Sequence, residues 1–331
     1  MSGSGSSGDR HWTLISAAMT GALGLAALLF MTTLPFTALP DPIISLTSWF
    51  AWTFFACGFS IIFYTLSLMR SGEDRPIRTL ANNLRNGRHR YLTILAGMTL
   101  AGFDMYFYMI MKPELNLLLP FWADPHLANV DSWILGQDGW RYFSSWNLEF
   151  MSWVYSPFWF FSILLTFYWL LLKPPSARKS AAIIAYFATW SVFGTLAQAL
   201  LSSGGPIFYS RLGFGTRFDS LPVPELELRL SDYLWHMYAH DSLAPGAGIS
   251  AMPSLHIATM AWMVMTFATF RSRLTVPAAL LSLYIYAGSI ALGWHYMTDG
   301  LVGAAGAGLC FYFARLYFAR REQAPLVLQS A

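Results

Sequence analysis

Of 331 residues, 20 are Lys or Arg and 17 are Asp or Glu, so only 11% are charged, while 56% are hydrophobic and 17% aromatic. An average soluble domain is about a quarter charged and under half apolar, and too few polar groups remain here to cover a water-facing surface. The composition excludes a disordered chain, a nucleic-acid binder with a basic face and a disulfide-stapled secreted domain, and it implies an integral membrane protein. The net charge of +3 is too small to argue for a polyanionic partner. Cys57 and Cys310, the two cysteines, lie inside apolar runs, so no disulfide framework is implied. The segment MSGSGSSGDRHW reads as a flexible polar tail, and the apolar run after it is too long for a signal-peptide core.

A bilayer crossing by a helix needs roughly 17–25 apolar residues. Eight runs qualify in chain order: Trp12–Leu34, Ile43–Met69, Leu92–Met111, Phe150–Leu172, Ala181–Leu201, Leu255–Phe270, Pro277–Trp294 and Tyr296–Phe318. The Leu255 run is short, and the last two are divided only by a few polar residues around His295. With the N-terminus placed in the cytoplasm, 15 of the 20 basic residues fall on the inner side, including six arginines between Arg70 and Arg90. The positive-inside bias therefore supports an even number of spans with both termini cytoplasmic. Twelve of the 17 acids fall outside and Asp104 falls within a span. Such an acid is a functional candidate by default, although a buried structural hydrogen bond is the favoured reading. Two outer segments are long. Residues 112–149 contain DPHLANVDSWILGQDGW and residues 202–254 contain SDYLWHMYAH, and each predicts a helix lying in the membrane interface. Gly300, Ala304 and Gly308 form a small-residue stripe at helical spacing, which predicts packing against a neighbouring span.

Two histidines stand at the outer ends of spans. In Gly246-Ala-Gly-Ile-Ser-Ala-Met-Pro253-Ser254-Leu255-His256, a Gly- and Pro-rich stretch leads into a helix whose first N–H groups make an anion site. Ser254 adds a hydroxyl and His256 a titratable nitrogen. The competing reading is an ordinary helix start with a capping Ser. In Trp294-His295-Tyr296-Met297-Thr298-Asp299, His295 and Asp299 are four apart and share a helical face. An Asp that holds one imidazole nitrogen leaves the other free to attack or to take a proton. An ordinary polar patch is the alternative, weakened by the cost of a charged Asp in an apolar segment. The topology brings both histidines to one membrane face on neighbouring spans. One nucleophile and one acid are what phosphoryl transfer through a covalent intermediate needs.

Pro253-Ser254-Leu255-His256 resembles the second signature, usually P-S-G-H, of the type 2 phosphatidic acid phosphatase superfamily of lipid phosphatases and phosphotransferases. His295-Tyr296-Met297-Thr298-Asp299 resembles the end of its third signature, H-x-x-x-D. The resemblance spans residues 91–320 and implies a six-helix core. Residues 1–90 then supply a cytoplasmic tail, two added helices and a basic loop, and 321–331 a second tail. By that resemblance His295 is the nucleophile, Asp299 supports it and His256 is the general acid. Ser254, with Leu255 and Tyr296 beside the two histidines, helps to hold substrate, and no metal or other cofactor is used.

The departures from the pattern point to one branch. The phosphatases carry an Arg six residues before the nucleophilic His, where this chain has Ser289, and their first signature, K-x6-R-P, is absent. In its place stands Ser202-Ser-Gly-Gly-Pro206-Ile-Phe-Tyr209-Ser-Arg211, which resembles the inositol phosphorylceramide synthase branch. Arg211, and less so Arg217, is the candidate replacement for the missing phosphate cation; interfacial anchoring is the other reading of both.

These observations predict an all-α polytopic membrane protein of about eight transmembrane helices with a six-helix, lipid-phosphatase-like core. Its expected activity is transfer of a phospho-headgroup from a lipid to a lipid or alcohol acceptor through a phosphohistidine at the periplasmic, extracellular or lumenal face. Hydrolysis of a lipid or polyprenyl phosphate, with water as acceptor, is the alternative. From another class, a transporter or lipid flippase stays open, although only Asp104 lies near a membrane midplane. The expected partners are the bilayer and a phospholipid or lipid phosphate, with no nucleic acid.

Overall fold

The computed structural model describes residues 4–31 and 41–327, and these form an all-helical, polytopic membrane protein. The helices are α1 (Ser4–Met31), α2 (Pro42–Arg70), α3 (Pro76–Asn86), α4 (Arg88–Leu118), α5 (Asp124–Leu135), α6 (Leu148–Leu171), α7 (Ala177–Phe187), α8 (Thr195–Leu200), α9 (Glu225–Ala239), α10 (Leu255–Thr269), α11 (Thr275–Ala291) and α12 (Met297–Val327). A π-helical turn, Ala188–Gly194, joins α7 and α8 into one span. Among the described residues, six helices are long and apolar enough to cross a bilayer, and α10 and α11 are shorter apolar helices. Each of the eight apolar runs of the sequence is helical over most of its described residues, with Leu172, Leu201, Phe270, 292–294 and Tyr296 falling just beyond helix ends; residues 32–34 of the first run lie outside the described residues.

Helices α1 and α2 pack directly on α4 and α6. Gly97 leaves room for Trp12 of α1 and Leu171 of α6, and Gly102 leaves room for Trp49 of α2. Both indoles are almost completely buried, and the Trp49 N–H donates to the Met98 carbonyl at 2.9 Å. Asp104 accepts from Thr20 of α1 at 3.2 Å and from Ser191 of the π turn at 2.6 Å. The intramembrane acid is thus a structural clamp joining α1, α4 and the α7–α8 span, where a π turn re-aims one side chain without breaking the helix.

The small-residue packing on α12 differs in detail from the predicted stripe. A Cβ on Gly300 would lie 2.4 Å from the Tyr286 ring, but one on Gly308 would meet nothing. The closest backbone approach is at Gly303, where a Cβ would lie 2.4 Å from the Ser254 carbonyl. This locks the start of α10 against α12, and Ser254 N–H in turn donates to the Asp299 carbonyl at 3.1 Å. The two histidine-bearing segments are therefore joined through their backbones.

The helices expected in the two long segments between spans, α5 and α9, are also present. In α5, Trp133, Ile134 and Val130 are exposed while Asp124, Ala128 and Asp131 face inward. In α9, Glu227 and Ser231 face inward.

Candidate active site

His295 lies in the turn between α11 and α12 and is 6% exposed. Its N–H donates to the Ser289 carbonyl at 3.0 Å, which anchors the turn to the end of α11. The ring nitrogen Nδ1 is 2.7 Å from the Ala251 carbonyl and 3.5 Å from Asp299 Oδ2. Both neighbours are acceptors, so in the neutral imidazole the geometry favours the proton on Nδ1 and the lone pair on Nε2. Asp299 is completely buried, and its Oδ2 accepts the Tyr296 N–H at 2.8 Å. Sequence spacing pointed to Asp299 as the partner of the imidazole. The nearer partner is the Ala251 carbonyl, a backbone group that leaves no mark in residue identities.

His256 is the second residue of α10, and α6 holds its ring. Tyr155 stacks on it with ring centroids 4.6 Å apart and planes 13° apart, and Trp159, one turn further along α6, lies 4.0 Å away. The centroids of His256 and His295 are 6.2 Å apart. With 15 residues, α10 is about 22 Å long, short of a hydrocarbon core of about 30 Å. The irregular chain before it therefore needs partners for its polar backbone. Asn116 supplies two, accepting from Ile249 N–H and donating to the Ile249 carbonyl, both at 2.7 Å. Ser203 supplies two more, its carbonyl accepting from Ala251 N–H at 2.8 Å and its hydroxyl from Met252 N–H at 3.0 Å.

A cavity of about 470 Å³ opens beside the two histidines. Aromatic and apolar side chains from α4, α6, the π turn and α9 line it, together with residues 245–250. Ser45 and Ser48 place α2 on the same wall. His256, His295, Leu255 and Lys112 all line this space. Asp299, buried behind His295, and four other candidates do not. Ser254 is completely buried and caps α10, its hydroxyl accepting from Ile257 N–H at 3.4 Å, so the capping reading describes its contacts. Arg211 pairs with Asp232 and lies over Trp235. Arg217 holds α5, bonding to Asp138, Asn129, Ser132 and the Ala128 carbonyl. Tyr296 points away from the cavity and donates its phenol to Asp124 at 3.0 Å.

Residues of α5 and α9 that carried no sequence signal brace this arrangement. Asp124 accepts from Gly204 N–H at 2.9 Å, Gly205 N–H at 2.8 Å and Tyr296 OH. Burial nevertheless raises its carboxyl from 3.8 to about 6, the three donors only partly offsetting that cost. Asp131, two helical turns further on, accepts the N–H groups of Met297 and Thr298, the first residues of α12. Its pKa is also raised, mainly by burial. Glu227 of α9 accepts from Ser152 at 2.5 Å and from the Trp294 indole at 2.6 Å, and burial raises it too. Asp124 and Asp131, seven apart on one helix, are the trace that a reading of α5 as a brace would have needed.

Residues 132–313 match the PAP2 superfamily. No curated protein and no solved structure matches the chain.

Proposed function

The chain belongs to the PAP2 superfamily, and we propose that it transfers a phospho-headgroup from one membrane lipid to another acceptor through a phosphohistidine on His295. The observation that carries the proposal is the contact of His295 Nδ1 with the Ala251 carbonyl, which favours the tautomer that leaves Nε2 free. The ring borders the same cavity as His256.

In the first step His295 Nε2 attacks phosphorus in line, the N–P bond forms and the P–O bond to the leaving alcohol breaks. His256, protonated, gives its proton to that oxygen. In the second step the acceptor hydroxyl gives its proton to His256 and attacks phosphorus, and the N–P bond breaks. Asp299 and the Ala251 carbonyl stabilise the imidazole while it carries positive charge. N–H groups of the first turn of α10 stabilise the phosphoryl oxygens as charge gathers on them. All of these steps use the chain's own residues.

In this reading both termini are cytoplasmic, residues 91–320 form the catalytic unit and the site faces the outer leaflet, as the distribution of basic residues supports. A wall with few fixed cations suits a singly charged phosphodiester and favours transfer over hydrolysis. With water as acceptor the same two steps make a phosphatase. Purified protein given ³²P-labelled phosphatidylinositol, phosphatidic acid and a ceramide acceptor should yield labelled transfer product and an acid-labile label on His295. Wild-type turnover by His295→Ala would refute the mechanism, and release of inorganic phosphate alone would replace transferase by phosphatase.

A further inference from the structure

Lys112 is the cation that the cavity itself supplies. It stands near the outer end of α4, where Met105, Tyr108, Met109 and Lys112 form one stripe along the helix and all line the cavity. Asn116, one turn beyond, clamps Ile249 by its backbone and so draws the 246–250 loop over this face of α4. The fit is close: a Cβ on Gly248, whose φ is +93°, would lie 3.0 Å from Lys112 Cγ and 2.8 Å from Pro113 N. The side chain is thereby confined between the loop and the helix.

Two facts separate Lys112 from the other basic residues. Arg211 and Arg217 are committed to Asp232 and to α5, away from the cavity. Among the described residues, no carboxylate pairs with Lys112, and none lines the cavity, whose ionisable side chains are Lys112, His256, His295, Tyr108, Tyr155 and Tyr233. An ammonium left without a counter-ion in such surroundings favours an anionic occupant. The partner's chemistry follows from the count of charges. The proton on His256 leaves with the alcohol in the first step, so the ammonium is the cation that stays; it neutralises a phosphodiester, whereas a monoester keeps nearly one charge over.

We infer that Lys112 binds the phosphoryl oxygens of a phosphodiester lipid held between His256 and His295. This deepens the proposed transfer reaction and rests on it for the role of the histidines. It corrects the assignment of the phosphate cation from Arg211 to a residue 99 positions earlier.

Titration calorimetry of the full chain in detergent tests it with dihexanoyl phosphatidylglycerol, a singly charged phosphodiester, and dihexanoylglycerol, its uncharged counterpart. Lys112→Gln should weaken phosphatidylglycerol binding roughly 10- to 100-fold, the range for loss of a charged hydrogen bond, and leave dihexanoylglycerol binding unchanged. Lys112→Arg should restore most of the loss. Unchanged phosphatidylglycerol affinity in Lys112→Gln, or equal losses for both lipids, overturns the inference. The reaction reading fails separately: turnover that survives His295→Ala refutes it and leaves the Lys112 binding result standing.

Discussion

Asp124 accepts the phenolic proton of Tyr296 at 3.0 Å, joining α5 to the residue that follows the nucleophile candidate across 172 positions of sequence. The same carboxylate takes two backbone N–H groups of the Ser202–Pro206 loop. It therefore ties three separate segments together at one buried point.

This bond has a pH signature. Asp124 is raised to about 6 in the folded protein, against an ordinary 3.8. Between those values the folded state holds the proton more tightly than the unfolded state does. Its contribution to stability is therefore full below about pH 4 and is lost as pH rises through about 6, a swing on the order of 2–3 kcal/mol. Asp131 and Glu227, raised for the same reason, act in the same direction. Thermal midpoints in detergent should fall from pH 4 to pH 7, and Asp124→Asn should show a flatter slope. An unaltered slope would remove Asp124 as the titrating group.

Asp131 caps α12 from another helix. Removing an N-cap carboxylate costs about 0.5–2 kcal/mol, and here the first turn of α12 also carries Asp299. Asp131→Ala should lower the unfolding free energy by that amount and reduce kcat more than it raises KM, because the turn bearing His295 loosens. Equal kcat in the variant, measured with labelled phosphodiester lipid, would limit Asp131 to stability.

The spans were legible because each is a long apolar run in a chain with few charges, and the positions of His256 and His295 at span ends follow from that pattern. The helix periods of α5 and α9 were legible too. The residues that complete the site were not. Lys112 reads as one more interfacial cation until the loop at 246–250, 133 positions away at the Asn116–Ile249 contact, covers it. Ser191 reaches Asp104 through a π turn that a 3.6-residue repeat does not foresee. Arg211 looked suited to phosphate by type and place, but Asp232, 21 residues on, takes it.

The role given to His256 predicts a dependence on the leaving group. If it protonates the departing oxygen, His256→Ala should lose roughly 10²–10⁴-fold on a lipid whose leaving group is an alkyl alcohol. The loss should be much smaller on a 4-nitrophenyl phosphodiester of similar chain length, because nitrophenolate leaves without a proton. Equal losses on both substrates, measured as initial rates, would assign His256 to binding.

Gly205 offers a sharper geometric test, because its neighbour is the residue before His295. Its φ is +93°, and a Cβ there would come within 2.4 Å of the Trp294 carbonyl oxygen. Gly213 has a similar φ of +83° but open space around it. Gly213→Ala should therefore cost only the backbone penalty, about 1 kcal/mol. Gly205→Ala adds a clash with backbone that also carries the Ile207 N–H to Gly293 O bond of 2.9 Å, so Trp294 must shift and take His295 with it. The expected result is a larger fall in midpoint for Gly205→Ala and a loss of turnover that Gly213→Ala does not show. Matching midpoints and rates for the two variants would mean that the turn around His295 yields to the added methyl group and is not held rigid by the Ser202–Pro206 loop.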